Sequence, residues 1–280
     1  MTTPRRVREV RTLPPPARGQ FGPHHQAIEV IRPQEWTSAD PFILLMDDRA
    51  DGLLDAGPHP HAGFETVTFV VDGSIGAETQ GGGALSAGDV EWTTAGSGIV
   101  HGPETPIDGK MRVLQLWLTL PRADRWTDPD HQVIRRDEAL VRREPGVELR
   151  LYSGRSADLV SPTRNRVPVI LADVTLQPGA HLAQEIPAAH AGFLYALDGS
   201  LDAGGAPIRE GQIAWLEKAE GDAPTALEFA NKGERPARVL LYTGQRQDIS
   251  ISWYGPFIGD TQQDIVRSFE RYRAGTFQRV

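Results

Sequence analysis

Two stretches of this chain share one grammar. Phe193-Leu194-Tyr195-Ala196-Leu197-Asp198-Gly199-Ser200 echoes Phe69 to Ser74, and Gly211-Gln212-Ile213-Ala214-Trp215 echoes Gly88 to Trp92. Gly199 lies 126 residues after Gly73, and Gly211 lies 123 after Gly88, so the second copy has the shorter inner loop. A long period with the order of segments kept implies two copies of one structural unit. The segments themselves read as strands. Phe64 to Val71 is rich in Val, Thr and Phe and stops at Asp72-Gly73-Ser74, the chemistry of a tight turn. Gly88 to Thr93 and Met111 to Leu120 alternate apolar with polar, as strands with one face in a core do. Asp40 to Asp47 reads as a short buried strand entered through Pro41. The 29 Gly and 22 Pro are spread along all 280 residues, which suits many short strands joined by turns. The expected class is all-β: two jelly-roll-like barrels packed together, with a short C-terminal helix.

The expected division is residues 1–160 and residues 161–280. Within the first, residues 1–40 form an arm whose first dozen residues are free to move. Residues 121–165 finish the first barrel and lead to the second. Near the C-terminus, Thr261 and Asp264 have capping-box spacing ahead of Ile265, Phe269 and Tyr272, and Gly275 can end that helix. Its apolar stripe most simply packs on a barrel.

Composition narrows the function classes. A formal charge of -8 argues against the clustered Lys and Arg that phosphate binding needs, although it leaves room for a local basic patch, so direct nucleic-acid contact is not expected. No apolar run approaches the ~20 residues that span a bilayer, and the start lacks a signal-peptide core, so a cytoplasmic chain without membrane contact is expected. The absence of Cys removes disulfides, thiolate ligands and a cysteine nucleophile, and any metal must be held by nitrogen and oxygen. Ser97 stands near His101, but nothing around it forms a hydrolase elbow.

The chemistry concentrates in histidines. His59-Pro60-His61 sets two imidazoles at alternate positions, which project to one face of an extended strand. His101 follows the small-residue segment Thr94-Ala95-Gly96-Ser97-Gly98, where another strand can approach closely. Glu104 offers a carboxylate three residues later, and three imidazoles with one carboxylate suit Fe(II), Mn, Ni, Cu or Zn. Glu65 competes with Glu104 because residues 59, 61 and 65 share parity on an unbulged strand, and a water completing a three-histidine site is the third option. His190, His181, His24 and His25 are read as surface or pocket histidines. Trp92, Trp117, Phe64 and Phe69 are core residues before they are pocket residues.

His59-Pro60-His61-Ala62-Gly63-Phe64-Glu65-Thr66, followed by Thr94-Ala95-Gly96-Ser97-Gly98-Ile99-Val100-His101, has the two-part order of a cupin metal motif. With Asp40-Pro41-Phe42 and Tyr254-Gly255-Pro256-Phe257 added, nearly the whole chain resembles the pirin family. That resemblance implies a bicupin with one divalent metal ion, Fe(II) first, with Ni, Mn, Cu or Zn as alternatives. The N-terminal barrel would hold it through His59, His61, His101 and Glu104. This chain reads His101-Gly102-Pro103-Glu104, one residue longer than the family pattern between the last two ligands. The second barrel lacks the set: constant offsets carry His59 and His61 to Glu185 and Pro187, and His101 to Pro224.

The resemblance also implies two functions. One is a quercetin 2,3-dioxygenase-type oxygenase that opens a flavonol ring with O2, Glu104 serving as catalytic proton acceptor. The other is a non-catalytic, metal- or redox-sensing regulator that binds a protein partner. A monomer is expected, since two barrels can cover each other's faces.

Overall fold

The computed structural model describes residues 3–54, 56–76, 83–102 and 109–280. The chain divides into two compact units, Pro15–Arg136 with Gln247–Val280, and Met1–Pro14 with Asp137–Arg246. They are called the first and second barrel below. This division differs from a cut near 160, because strand pairing overrides sequence order. Val7–Thr12 adds antiparallel to Gln212–Leu216, and Thr3–Pro4 lies parallel to Thr225–Ala226, so the expected arm opens on strands of the second barrel. Leu140–Glu144 and Val147–Ser153 also join the second barrel's sheet.

In the first barrel, the two larger sheets of the described residues have eight and three strands, beside the two-stranded pair Ser252–Tyr254 and Phe257–Gly259. The large sheet runs Asp130–Ile134, Val90–Thr94, Phe64–Ile75, Lys110–Thr119, Phe42–Asp51, His25–Ile31 and Ala17–Arg18, with Leu85–Ser86 against Phe64–Ile75. The small sheet is Gln278–Arg279, Ile99–His101 and His59–His61. The second barrel repeats the plan with larger sheets of seven and five strands, beside the two-stranded pair Arg155–Ser156 and Leu159–Val160.

The repeat keeps its pairing register across the central strands. Asp47 pairs with Leu114 in the first barrel, and Asp173 pairs with Leu240 in the second. Val67 faces Trp92 as Phe193 faces Trp215. Even an ion pair recurs: Arg112 grips Asp47 at 2.9 Å and Arg238 grips Asp173 at 2.8 Å. The segment Asp72-Gly73-Ser74 corrects one expectation. Phe64–Ile75 continues through it, bending at a bulge opposite Arg112 and Val113, with Gly73 at φ +74° against the Lys110 carbonyl.

The helix Gln262–Arg273 forms in the first barrel as its caps dictate. The Asp264 amide donates to the Thr261 hydroxyl, and the Thr261 amide donates to the Asp264 carboxylate at 2.8 Å. Ile265 is buried from its apolar stripe. A second helix, Trp36–Ala39, is a single turn.

Candidate metal centre

His59–His61 runs antiparallel to Ile99–His101, with His59 opposite His101 and His61 opposite Ile99. Alternation along each strand turns all three imidazoles to one side. Their ring centroids form a nearly equilateral triangle: 4.8 Å from His59 to His61, 4.7 Å from His59 to His101 and 4.9 Å from His61 to His101. One nitrogen from each lies within 4.8 Å of the other two, a grouping that could hold a metal ion.

The protonation states fit that use. His59 Nδ1 lies 3.0 Å from the Gly57 carbonyl, which can only accept, so Nδ1 carries the hydrogen and Nε2 keeps its lone pair. Burial lowers the His59 pKa, with the Gly57 carbonyl opposing. Burial pushes His101 down to about 3, assisted by His59. His61 is held well below the ordinary imidazole value by burial and then by His101 and His59, opposed by the Pro256 carbonyl. All three are therefore neutral near pH 7, the state in which imidazole ligates metal. His61 Nδ1 is also buried, with no hydrogen bond of ordinary length among the described residues. The donor set fits a nitrogen-favouring divalent ion.

An apolar wall stands beside the triangle. The rings of Phe64 and Trp117 lie 5.0 and 5.3 Å from that of His61, and 4.5 Å from each other. Trp92 and Phe69 are buried in the core. Next along the face shared by Phe64 runs a cross-strand row that the sequence reading missed. Glu91 faces Thr68, Thr68 faces Gln115, and Gln115 faces Met46. Thr68 donates to Gln115 Oε1 at 2.7 Å, and Gln115 Nε2 donates to the Thr66 hydroxyl. Gln115 and Met46 sit on strands with a neighbour on both edges, yet both are only half-buried. This face of the sheet is therefore partly open to solvent at Gln115 and Met46. The sequence signal for the row was the polar alternation of Thr66 with Thr68 and of Glu91 with Thr93.

The two candidate carboxylates fare differently. Glu65 is fully buried, accepts a 2.8 Å hydrogen bond from Thr94, and is not part of the three-histidine grouping. Parity does not carry from His61 to Glu65 because the chain turns at Gly63, φ +87°, where a Cβ would lie 1.9 Å from the Ile258 carbonyl. Glu104 lies in 103–108, outside the described residues. Gly102, at φ +127°, is packed beside Gly57 and His59.

Among the other histidines, His181 and His24 are exposed as expected. His25 is buried and bonded to Asp48 at 2.9 Å, and His190 is buried and bonded to the Thr243 hydroxyl at 3.0 Å. Both are satisfied interior groups rather than surface ones.

Residues 24–118 match the family model described as Pirin, and residues 171–278 match the Pirin C-terminal cupin domain. The chain belongs to the pirin family. A pirin-like protein of Solanum lycopersicum is 32% identical over 86% of this chain and 83% of its own length. A Pseudomonas aeruginosa protein provisionally named quercetin 2,3-dioxygenase is 33% identical over 80% of this chain and 79% of its own. The crystal structure of a quercetin 2,3-dioxygenase from Acinetobacter baumannii superposes with a TM-score of 0.84 at 24% identity, covering 98% of this chain and 99% of that one. The pirin fold of two cupin barrels is thus the fold of this chain, and its three-histidine grouping lies within residues 24–118, in the first barrel. No helix among the described residues is long and apolar enough to cross a membrane.

Proposed function

We propose that this pirin-family chain is a metal-dependent oxygenase of the quercetin 2,3-dioxygenase type, acting on a flavonol or a similar hydroxylated ring. It would hold one divalent ion, Fe(II) first, through His59, His61, His101 and Glu104. The observation that carries this reading is the triangle of neutral imidazoles, two buried and His59 half-buried, with ring centroids 4.7–4.9 Å apart. The name of the Pseudomonas relative supports the substrate class.

When bound, the ion would supply Lewis acidity towards a vicinal hydroxyl and carbonyl, together with access to O2. The protein's own parts have separate tasks. His59 Nε2 is kept available by the bond from Nδ1 to Gly57, which fixes the ring orientation. Phe64 and Trp117 exclude water on one side of the site and offer aromatic faces to a planar ring. Glu104, the fourth ligand in this proposal, would accept the proton of the substrate hydroxyl.

The test is consumption of quercetin under O2, with carbon monoxide release, by the Fe(II)-loaded chain and by His59→Ala and His61→Ala. Turnover that disappears in both variants is expected. A metal-loaded wild type that leaves quercetin untouched overturns the enzymatic reading and favours the regulator.

A further inference from the structure

Ile99–His101 has only three residues, too few to hold its own geometry, and it is paired on both edges. One edge meets the other ligand strand, His59–His61. Its second edge meets Gln278–Arg279, which runs parallel with Ile99 beside Gln278 and Val100 beside Arg279. The Gln278 amide donates to the Gly98 carbonyl at 3.1 Å, and the Val280 amide donates to the Val100 carbonyl at 3.2 Å. Phe277 locks this pairing: a Cβ on Gly98 would lie 2.4 Å from its ring, so that glycine of the Thr-Ala-Gly-x-Gly segment makes room for Phe277. Arg271 places its guanidinium 5.6 Å over the same ring and donates to the Ser97 carbonyl at 2.6 Å. Phe277 packs in one cluster with Ala62, which follows His61, and that cluster also contacts Val100, which precedes His101.

We propose that Phe277–Val280 is a clasp that sets the spacing of the two histidine-bearing strands, so that its docking and metal binding favour each other. Phe277, Gln278 and Val280 are positioning residues, acting through His101 and His61. The inference rests on His59, His61 and His101 holding a metal ion, and not on the flavonol reading. If metal binds tightly only when the clasp is docked, apparent affinity falls in proportion to the docked fraction. By linkage, metal must in turn hold the clasp down.

The experiment uses the full chain loaded with Ni(II): wild type, Phe277→Ala, and the double variant Gln278→Pro with Val280→Pro, which removes both amide donors. Two quantities are read, the rate of Ni(II) release to excess chelator and amide hydrogen exchange at Gln278 and Val280 in wild type with and without Ni(II). Release about tenfold or more faster in the variants is expected, with exchange at both wild-type amides slowed by Ni(II). Release within about twofold of wild type in folded variants overturns the clasp, as does exchange that ignores Ni(II). The wild-type exchange decides even if a variant fails to fold. A wild type that binds no Ni(II) overturns the clasp together with the three-histidine site, an outcome distinct from equal release.

Discussion

The two barrels share one backbone plan and fill it with opposite chemistry. Where the first barrel sets Glu91, Thr68, Gln115 and Met46 side by side across four strands, the second sets Ala214, Leu194, Leu241 and Ala172 in the same register. The second row belongs to one continuous apolar core. The ligand positions diverge in the same way. By strand pairing, His59 opposite His101 becomes Gln184 opposite Leu227, and His61 opposite Ile99 becomes Ile186 opposite Thr225. Ile186 and Leu227 lie in that core, and Gln184 satisfies itself on Ser156 and on the Arg155 and Glu185 carbonyls. Each Leu or Ile so buried is worth about 1.5–3 kcal/mol. The second barrel thus puts its interior into stability, and the first keeps polar, half-buried groups on the sheet face that carries Phe64 and Trp117.

Core truncation should separate the barrels most. Leu241→Ala should cost the second barrel about 2–5 kcal/mol in urea unfolding, while Gln115→Ala at the matching position costs the first about 1 kcal/mol or less. Equal losses would break the contrast. Metal should act on one barrel alone. At a free Ni(II) concentration one hundredfold above Kd, amide exchange should show the first barrel stabilised by about 2.7 kcal/mol, the second unchanged, and no effect in His59→Ala.

Acid sharpens the comparison from the other side. His190 is pushed down to about 4 by burial and then by Arg5. Its folded-state pKa lies below its unfolded value, so between the ordinary imidazole value of 6.5 and about 4 the unfolded chain binds more protons. Stability of the second barrel should then fall with falling pH through that window, by up to about 1.4 kcal/mol per pH unit, and His190→Gln should flatten the slope. An unchanged slope in that variant would assign the acid sensitivity elsewhere. The smallest effect is at the helix cap. Thr261→Ala should lower the first barrel's stability by about 1 kcal/mol in thermal unfolding and leave the second unmoved.

The repeat was legible because cross-strand rows demand the same residue types at the same spacing, as Trp92 and Trp215 show. The three imidazoles were legible because alternation along a strand is a local rule. The exchange of chain ends was not: nothing within Val7–Thr12 specifies Gln212–Leu216 as its partner, a choice made by long-range packing. A constant offset also failed between Ile186 and His190, where it points to Glu185 and Pro187 instead of the inward Gln184 and Ile186. One residue of slip in a connecting loop inverts every facing assignment. His25 and His190 lie outside the three-histidine grouping, and only their surface placement fails, because burial of a lone histidine depends on partners, Asp48 and Thr243, that lie far away in sequence.

Metal content by elemental analysis, after purification without added metal or chelator and again after reconstitution with Fe(II), tests the central claim most directly. About one ion per chain is predicted, lost in His59→Ala and His101→Ala and kept in Gln184→Ala and Glu65→Ala. No ion in the reconstituted wild type, or about two ions with one surviving His59→Ala, would contradict a single centre in the first barrel.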